Sequence, residues 1–337
     1  MKERNYAIDT LRTVATVYVI LIHVVSTHIK DCISNNSFAW EFWFANIIDS
    51  FCRICVPIFV MISGQFLLGK DDTFVDFYKN RTRKILVPLI FWSFFYSIYT
   101  LLVRYISSGI WDFSLILNNL VYGKPYFHLW YVFMLLGLYL VTPLINRCLR
   151  ITFKQPSYVW GIGVSLLILG ICLGLYYHFY GHTKFFIVWF LEYLGYYILG
   201  YAISRYKVLK NTRWLLVVYG VSSAAIALMT YYAIKAGWGL YFYSYSSPLV
   251  IIGTICVYFY FTERSISANY FSKLAGLTFG VYLIHAFVLT VLNKVLTIGL
   301  LEISAFIAIP LKLIVVFFIS AFIAYTLSRH SLLRRII

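Results

Sequence analysis

The chain has 337 residues, of which 62% are hydrophobic and 12% charged, and its formal net charge is +16. An ordinary soluble domain carries roughly 25% charged residues, so a water-soluble globule is excluded. Without a soluble basic domain to hold it, nucleic acid is a poor reading of that charge, and no nucleic-acid partner is expected.

The apolar residues fall into blocks of about 20, the length that crosses a bilayer core. Ten blocks predict an all-α polytopic membrane protein, with spans near residues 7–28, 44–68, 85–106, 127–147, 158–179, 185–204, 214–235, 246–262, 278–297 and 307–328. An even number leaves both termini on one side. With the N-terminus inside, the inner segments hold 19 of the 28 Lys and Arg, from Lys2 and Arg4 through the Arg81–Lys84 run and Lys154, Lys207 and Lys210 to Arg335. Outer segments hold 7, Lys184 among them. The positive-inside rule then puts both termini in the cytoplasm. Residues 1–337 read as a single transmembrane domain with no internal repeat and no appended soluble domain.

Ionisable groups inside a bilayer cost roughly 2.5–3.5 kcal/mol each on insertion scales, so each needs a reason. In the first block Asp9 and Arg12 stand three residues apart and can pair. Arg12 and His23 are eleven residues apart, which on a helix is three turns plus about 20°. Both then face one way, about 16 Å apart along the axis. Arginine holds phosphate by paired hydrogen bonds, and imidazole is the side chain best suited to act as a base near neutral pH. The plainer alternative is an arginine that snorkels to the interface and a histidine packed in the core.

The second block places Asp49 and Arg53 on one face, ahead of Pro57 and Gly64, which are expected to kink the helix. The two charges make either a self-neutralising pair or the wall of a polar cavity at the depth of His23. Cys52 and Cys55 read as small apolar residues on that helix, with no redox role. Residues 70–84 predict a short amphipathic helix on the inner surface leading into the basic run Arg81, Arg83, Lys84. Residues 108–126 predict an interfacial segment on the outer side.

His128 and Trp130 open the fourth block in HLWYV, Glu192 lies in FLEYLGYYILGY, and Tyr282 and His285 share a face in GVYLIHAF. Each lines a cavity or makes a packed polar contact. Gly195 and Gly200 permit close helix approach. His178 and His182 have zinc-like spacing, but Gly181 interrupts the helix and no acid or cysteine stands near, so no metal is predicted.

These residues carry a resemblance. IDTLRTVATVYVILIH, VPIFVMISGQFLL, KNRTRKILVP, HLWYV and GVYLIHAF occur in the order found in the acyltransferase-3 family of membrane acyltransferases. The chain resembles that family over nearly its whole length, most of all the stand-alone bacterial members. The resemblance implies an acyl-CoA donor, usually acetyl-CoA, entering from the cytoplasm. It implies a sugar-hydroxyl acceptor in an envelope polysaccharide or its lipid-linked precursor, and residence in the bacterial inner membrane among lipid.

The resemblance also marks Arg12 and His23 as the core pair, with a second basic motif after the second span. There the family commonly has Arg-x-x-Arg, and this chain has Arg81-Thr82-Arg83-Lys84. The expected division of labour gives donor phosphates to Arg12, Arg81, Arg83 and Lys84. His23 acts as general base or, alternatively, as an acylated nucleophile, with Asp49 and Arg53 tuning it. His128, Trp130, Glu192, Tyr282 and His285 form the acceptor-binding set. The rival class is a transporter of a small polar substrate or glycan built on the same body.

Overall fold

The structure, a computed structural model, describes residues 4–151, 155–181, 185–206, 209, 211–298 and 304–337. Lys2, Lys154, Lys184, Lys207, Lys210 and His182 lie outside the described residues. Among those described the chain is helical with no strand, and ten helices are long and apolar enough to cross a membrane. Every expected span is present; most ends move by a few residues, and the third span begins 11 residues earlier, at Phe74.

The first span is α1, Tyr6–Ser34. Asn5 caps it, its side-chain oxygen accepting from the Ala7 and Ile8 amides at 3.1 Å. The second span is two helices, α2 (Trp40–Cys52) and α3 (Cys55–Leu67), separated by a turn at residues 53–54. Proline 57 explains the break: it lacks the N–H that would bond the Arg53 carbonyl one turn back. The expected kink is therefore an interruption, and Gly64 takes no part in it. Gly64 is instead a contact point, where an added Cβ would run into the Tyr197 carbonyl.

The surface helix expected over 70–84 does not stand alone. A single turn, α4 (Phe74–Phe77), passes through a π-helical turn, Tyr78–Thr82, into α5 (Arg83–Ser108). A short helix, α6 (Phe113–Val121), follows, capped by Asp112. Next come α7 (Trp130–Ile151) and α8 (Pro156–Tyr180). A 3₁₀ stretch, Phe186–Tyr193, runs into α9 (Leu194–Tyr206). The remaining spans are α10 (Trp214–Lys235), α11 (Pro248–Thr262), α13 (Thr278–Ile298) and α14 (Ala305–Arg329), with the short α12 (Tyr270–Leu274) ahead of α13.

The chain divides into two compact units. The first holds residues 1–66 and 196–326. In it α1 packs on α2, α12 and α13, and α10 packs on α2 and α11. Its core is aliphatic with buried tyrosines: Leu11, Ile20, Ile54, Met61, Tyr197, Tyr258 and Ile284 are each buried. Gly200 extends the close approach of α3 and α9, since a Cβ there would strike the Met61 backbone.

The second unit holds residues 67–195 and 327–337. There α7 and α8 pack on the 3₁₀ stretch, and a C-terminal 3₁₀ turn, Leu333–Ile336, lies against α5. The Trp92 indole N–H donates to the Ile336 carbonyl at 2.8 Å. Gly195 brings α9 against Leu167 of α8, a Cβ there falling 2.5 Å from the Leu167 amide nitrogen.

Candidate functional site in the first unit

Six of the predicted residues fall in the first unit: Arg12, His23, Asp49, Arg53, Tyr282 and His285. Because α1 is unbroken from Tyr6 to Ser34, Arg12 and His23 share a face, about 16 Å apart at 1.5 Å per residue.

Arg12 is partly exposed and stands 4.0 Å from Asp9. Arg4 holds the same carboxylate more closely, at 2.7 Å, and also donates to the Ser272 carbonyl. Phe66 lies 5.7 Å from the Arg12 guanidinium carbon. This end of α1 is fixed from the far end of the sequence. Thr13 donates to the Phe271 carbonyl at 2.8 Å, and Thr10 meets Asn269, the residue that caps α12.

At the other end of the pair His23 is part-buried. Its ring faces His285, with centroids 5.3 Å apart and planes 28° apart. His285 is fully buried, and Tyr282 nearly so. The His285 Nδ1 donates to the Tyr282 carbonyl at 2.6 Å, which places the proton on that nitrogen.

Arg53 sits in the break between α2 and α3 and forms an ion pair with the buried Asp49 one turn earlier. Its guanidinium lies over the Tyr243 ring, 4.2 Å from the centroid, and donates to the Tyr243 carbonyl at 3.4 Å. The Tyr243 hydroxyl donates to Asn46 at 2.6 Å, and Asn46 donates to the Ala227 carbonyl at 3.0 Å. Tyr219 donates to the Phe51 carbonyl at 2.6 Å, satisfying one of the acceptors that the interruption releases. Asp49 thus keeps one carboxylate oxygen on Arg53, and its other oxygen is buried with no hydrogen-bond partner among the described residues.

Asn46, Tyr219 and Tyr243 are the residues that sequence reasoning missed. The eighth span was expected to begin at 246, whereas it starts at Tyr241 in a 3₁₀ turn, Tyr241–Tyr243. The aromatic run YFYSYSS was the available signal.

The other predicted residues belong to the second unit. Arg81 lies in the π-helical turn, 4.0 Å from Asp72. Arg83 and Lys84 are exposed on the first turn of α5, and among the described residues neither makes an ion pair. His128 is buried in the turn before α7, its ring edge-on to Tyr96 at 5.0 Å and to Tyr126 at 5.8 Å. Trp130 is part-buried and tilted on Tyr193 at 6.0 Å. Glu192 is buried in the 3₁₀ stretch, where Gly170 comes so close that a Cβ would lie 2.7 Å from the Glu192 carbonyl.

Ten apolar spans among the described residues define a multi-pass membrane protein. The chain belongs to the acyltransferase-3 family: the family model described as an acyltransferase domain matches residues 5–329. A stretch of 176 residues, 48% of the chain, is 26% identical to an amino-acid racemase of Enterococcus faecalis. The match spans 23% of that protein, so the chain covers about a quarter of the relative's length. No solved structure matches.

Proposed function

We propose that this membrane acyltransferase moves an acetyl group from cytoplasmic acetyl-CoA to a sugar hydroxyl of a bacterial envelope polysaccharide or its lipid-linked precursor. The observation that carries the reading is the shared face of α1, with a cation at one end and a part-buried imidazole three turns on. Arg12 holds the donor's phosphates by charge-assisted hydrogen bonds. The pantetheine arm of the donor, roughly 15–20 Å long, matches the rise from Arg12 to His23.

His23 takes the proton of the acceptor hydroxyl as the oxygen attacks the thioester carbonyl carbon. The C–S bond then breaks, and the proton passes from the imidazolium to the leaving thiolate. The products are an acetyl ester and free coenzyme A. Arg53, anchored by Asp49 and Tyr243, supplies positive charge toward the oxyanion that forms on the way. His128, Trp130 and Glu192 contribute to acceptor binding. Both termini are cytoplasmic in this reading.

The test is saturable binding of acetyl-CoA to the purified protein in detergent, wild type beside Arg12→Ala and His23→Ala. Binding lost in the Arg12 variant and kept in the His23 variant is expected. No binding of acetyl-CoA or succinyl-CoA by the wild type would turn the reading toward transport of a polar substrate.

A further inference from the structure

His285 is fully buried. From there it reaches the reaction through His23. Its Nδ1 proton is committed to the Tyr282 carbonyl at 2.6 Å, which fixes both the tautomer and the rotation of the ring. The Tyr282 ring lies 5.7 Å to one side, and Phe279 lies parallel to Tyr282 at 6.5 Å. Phe279, Tyr282 and His285, three residues apart along one face of α13, thus form a rank of rings ending on His23 of α1, the two helices being packed together.

A leucine would fill the same space without removing two ring nitrogens from water, a cost that burial of a polar group always carries. The bland alternative is a packed histidine satisfied by its own helix. It gives no reason for the ring to end face-near on the one part-buried imidazole of the site.

We propose that His285 is a positioning residue: its anchored ring sets the plane in which His23 meets the acceptor hydroxyl. The proposal rests on the reading of His23 as general base. A general base works only within hydrogen-bond reach and correct alignment of the proton it takes. A misplacement of about 1 Å in such a group costs on the order of 100-fold in rate.

The experiment compares wild type, His285→Ala and His285→Phe in two readouts. The first is steady-state acetyl transfer. His285→Ala should lower kcat by about 10–100-fold, with KM for donor and acceptor near the wild-type values. His285→Phe keeps a flat ring beside His23 and should restore part of the lost kcat. An unchanged kcat, or a raised acceptor KM alone, overturns the proposal, the second because it means direct contact with substrate.

The second readout is the rate of diethylpyrocarbonate modification at His23, followed by mass spectrometry of the peptide that carries it. That rate should change several-fold in the alanine variant and return toward wild type in the phenylalanine variant. An unchanged rate overturns the proposal whether or not the protein transfers acetyl groups. If the wild type transfers none while the His23 rate responds as stated, the acetyl-transfer reading fails and the positioning of His23 by His285 stands.

Discussion

Gly64 of α3 and Tyr197 of α9 meet backbone to backbone, so that a methyl group on residue 64 would occupy the space of the Tyr197 carbonyl. Neither partner can swing aside, because both atoms belong to helix backbones. Gly64→Ala should therefore destabilise the first unit by about 3 kcal/mol, the upper range for overpacking. Thermal unfolding in detergent measures it, and an unshifted midpoint would refute the close approach. Gly109, where nothing lies within 4 Å of an added Cβ, serves as a poor control because its positive φ of 70° brings strain of its own. Gly161, which also has open space around it and no such φ, is the better one.

Asp49 and Arg53 neutralise each other in a buried setting. Removing one partner of a buried pair leaves an uncompensated charge and costs about 3–5 kcal/mol. Arg53→Met alone should lower stability by that order, and Asp49→Asn with Arg53→Met should recover most of it. If Arg53 also stabilises the oxyanion, the recovered double variant will still be slow in acetyl transfer. Stability and kcat measured on the same preparations separate the two roles. A stable double variant with wild-type kcat would leave the pair a purely structural one.

Pro57 sets the break between α2 and α3. In Pro57→Ala the restored N–H can bond the Arg53 carbonyl and continue the helix. The expected outcome is higher thermal stability together with reduced acetyl transfer, because Arg53 is drawn away from Tyr243. Unchanged activity would show that the interruption is incidental to the site.

Arg12 differs from a lysine by its planar fork. Arg12→Lys keeps the charge and should raise donor KM about tenfold while leaving kcat close to wild type. Parallel titrations with acetyl-CoA and with dephospho-CoA thioesters test whether Arg12 serves the donor's 3′-phosphate. A lower kcat at unchanged donor KM would place Arg12 away from donor binding.

Asp112 caps α6, its carboxylate accepting from the Leu115 amide at 3.0 Å and the Ser114 hydroxyl at 2.8 Å. The Leu115 amide, then the Ser114 hydroxyl, with Arg104 alongside, hold this carboxyl below its ordinary value. A depressed carboxyl stabilises the folded helix above its unfolded value, about pH 4. The contribution fades as pH falls through the lower folded value. Hydrogen exchange at residues 113–121, corrected for the intrinsic rate, should show protection lost below pH 4 in wild type. In Asp112→Ala protection should already be weak at neutral pH, and equal protection in both would rule the cap out.

The spans were legible because a bilayer demands long apolar blocks, and α8 and α14 show that demand with little disguise. The Arg12–His23 relation was legible because it lies within one helix, where spacing alone fixes direction. The ring of His285 against His23 was not, since it joins residues 262 positions apart in sequence. Periodicity has no term for that. The site role of Pro57 was half legible: proline announced a disturbance, but whether it bends or interrupts depends on what replaces the lost bond. The fusion of residues 74–82 with the third span also escaped. Charges interleaved with aromatics look like a surface helix until the π-helical turn is seen to carry the axis onward.

The interrupted second span has a bearing on how the protein is made. A segment that carries a broken ladder and an ion pair is a poor candidate to partition into lipid by itself, since each unsatisfied backbone group there costs several kcal/mol. Its released Phe51 carbonyl finds its donor on Tyr219 and its arginine finds Tyr243, both encoded some 170 residues or more downstream. The span is thus threaded long before the groups that complete it exist, and only α1 is there to shelter it. The polar contacts that complete the second span are therefore expected to form only once α10 and the Tyr241–Tyr243 turn have been made.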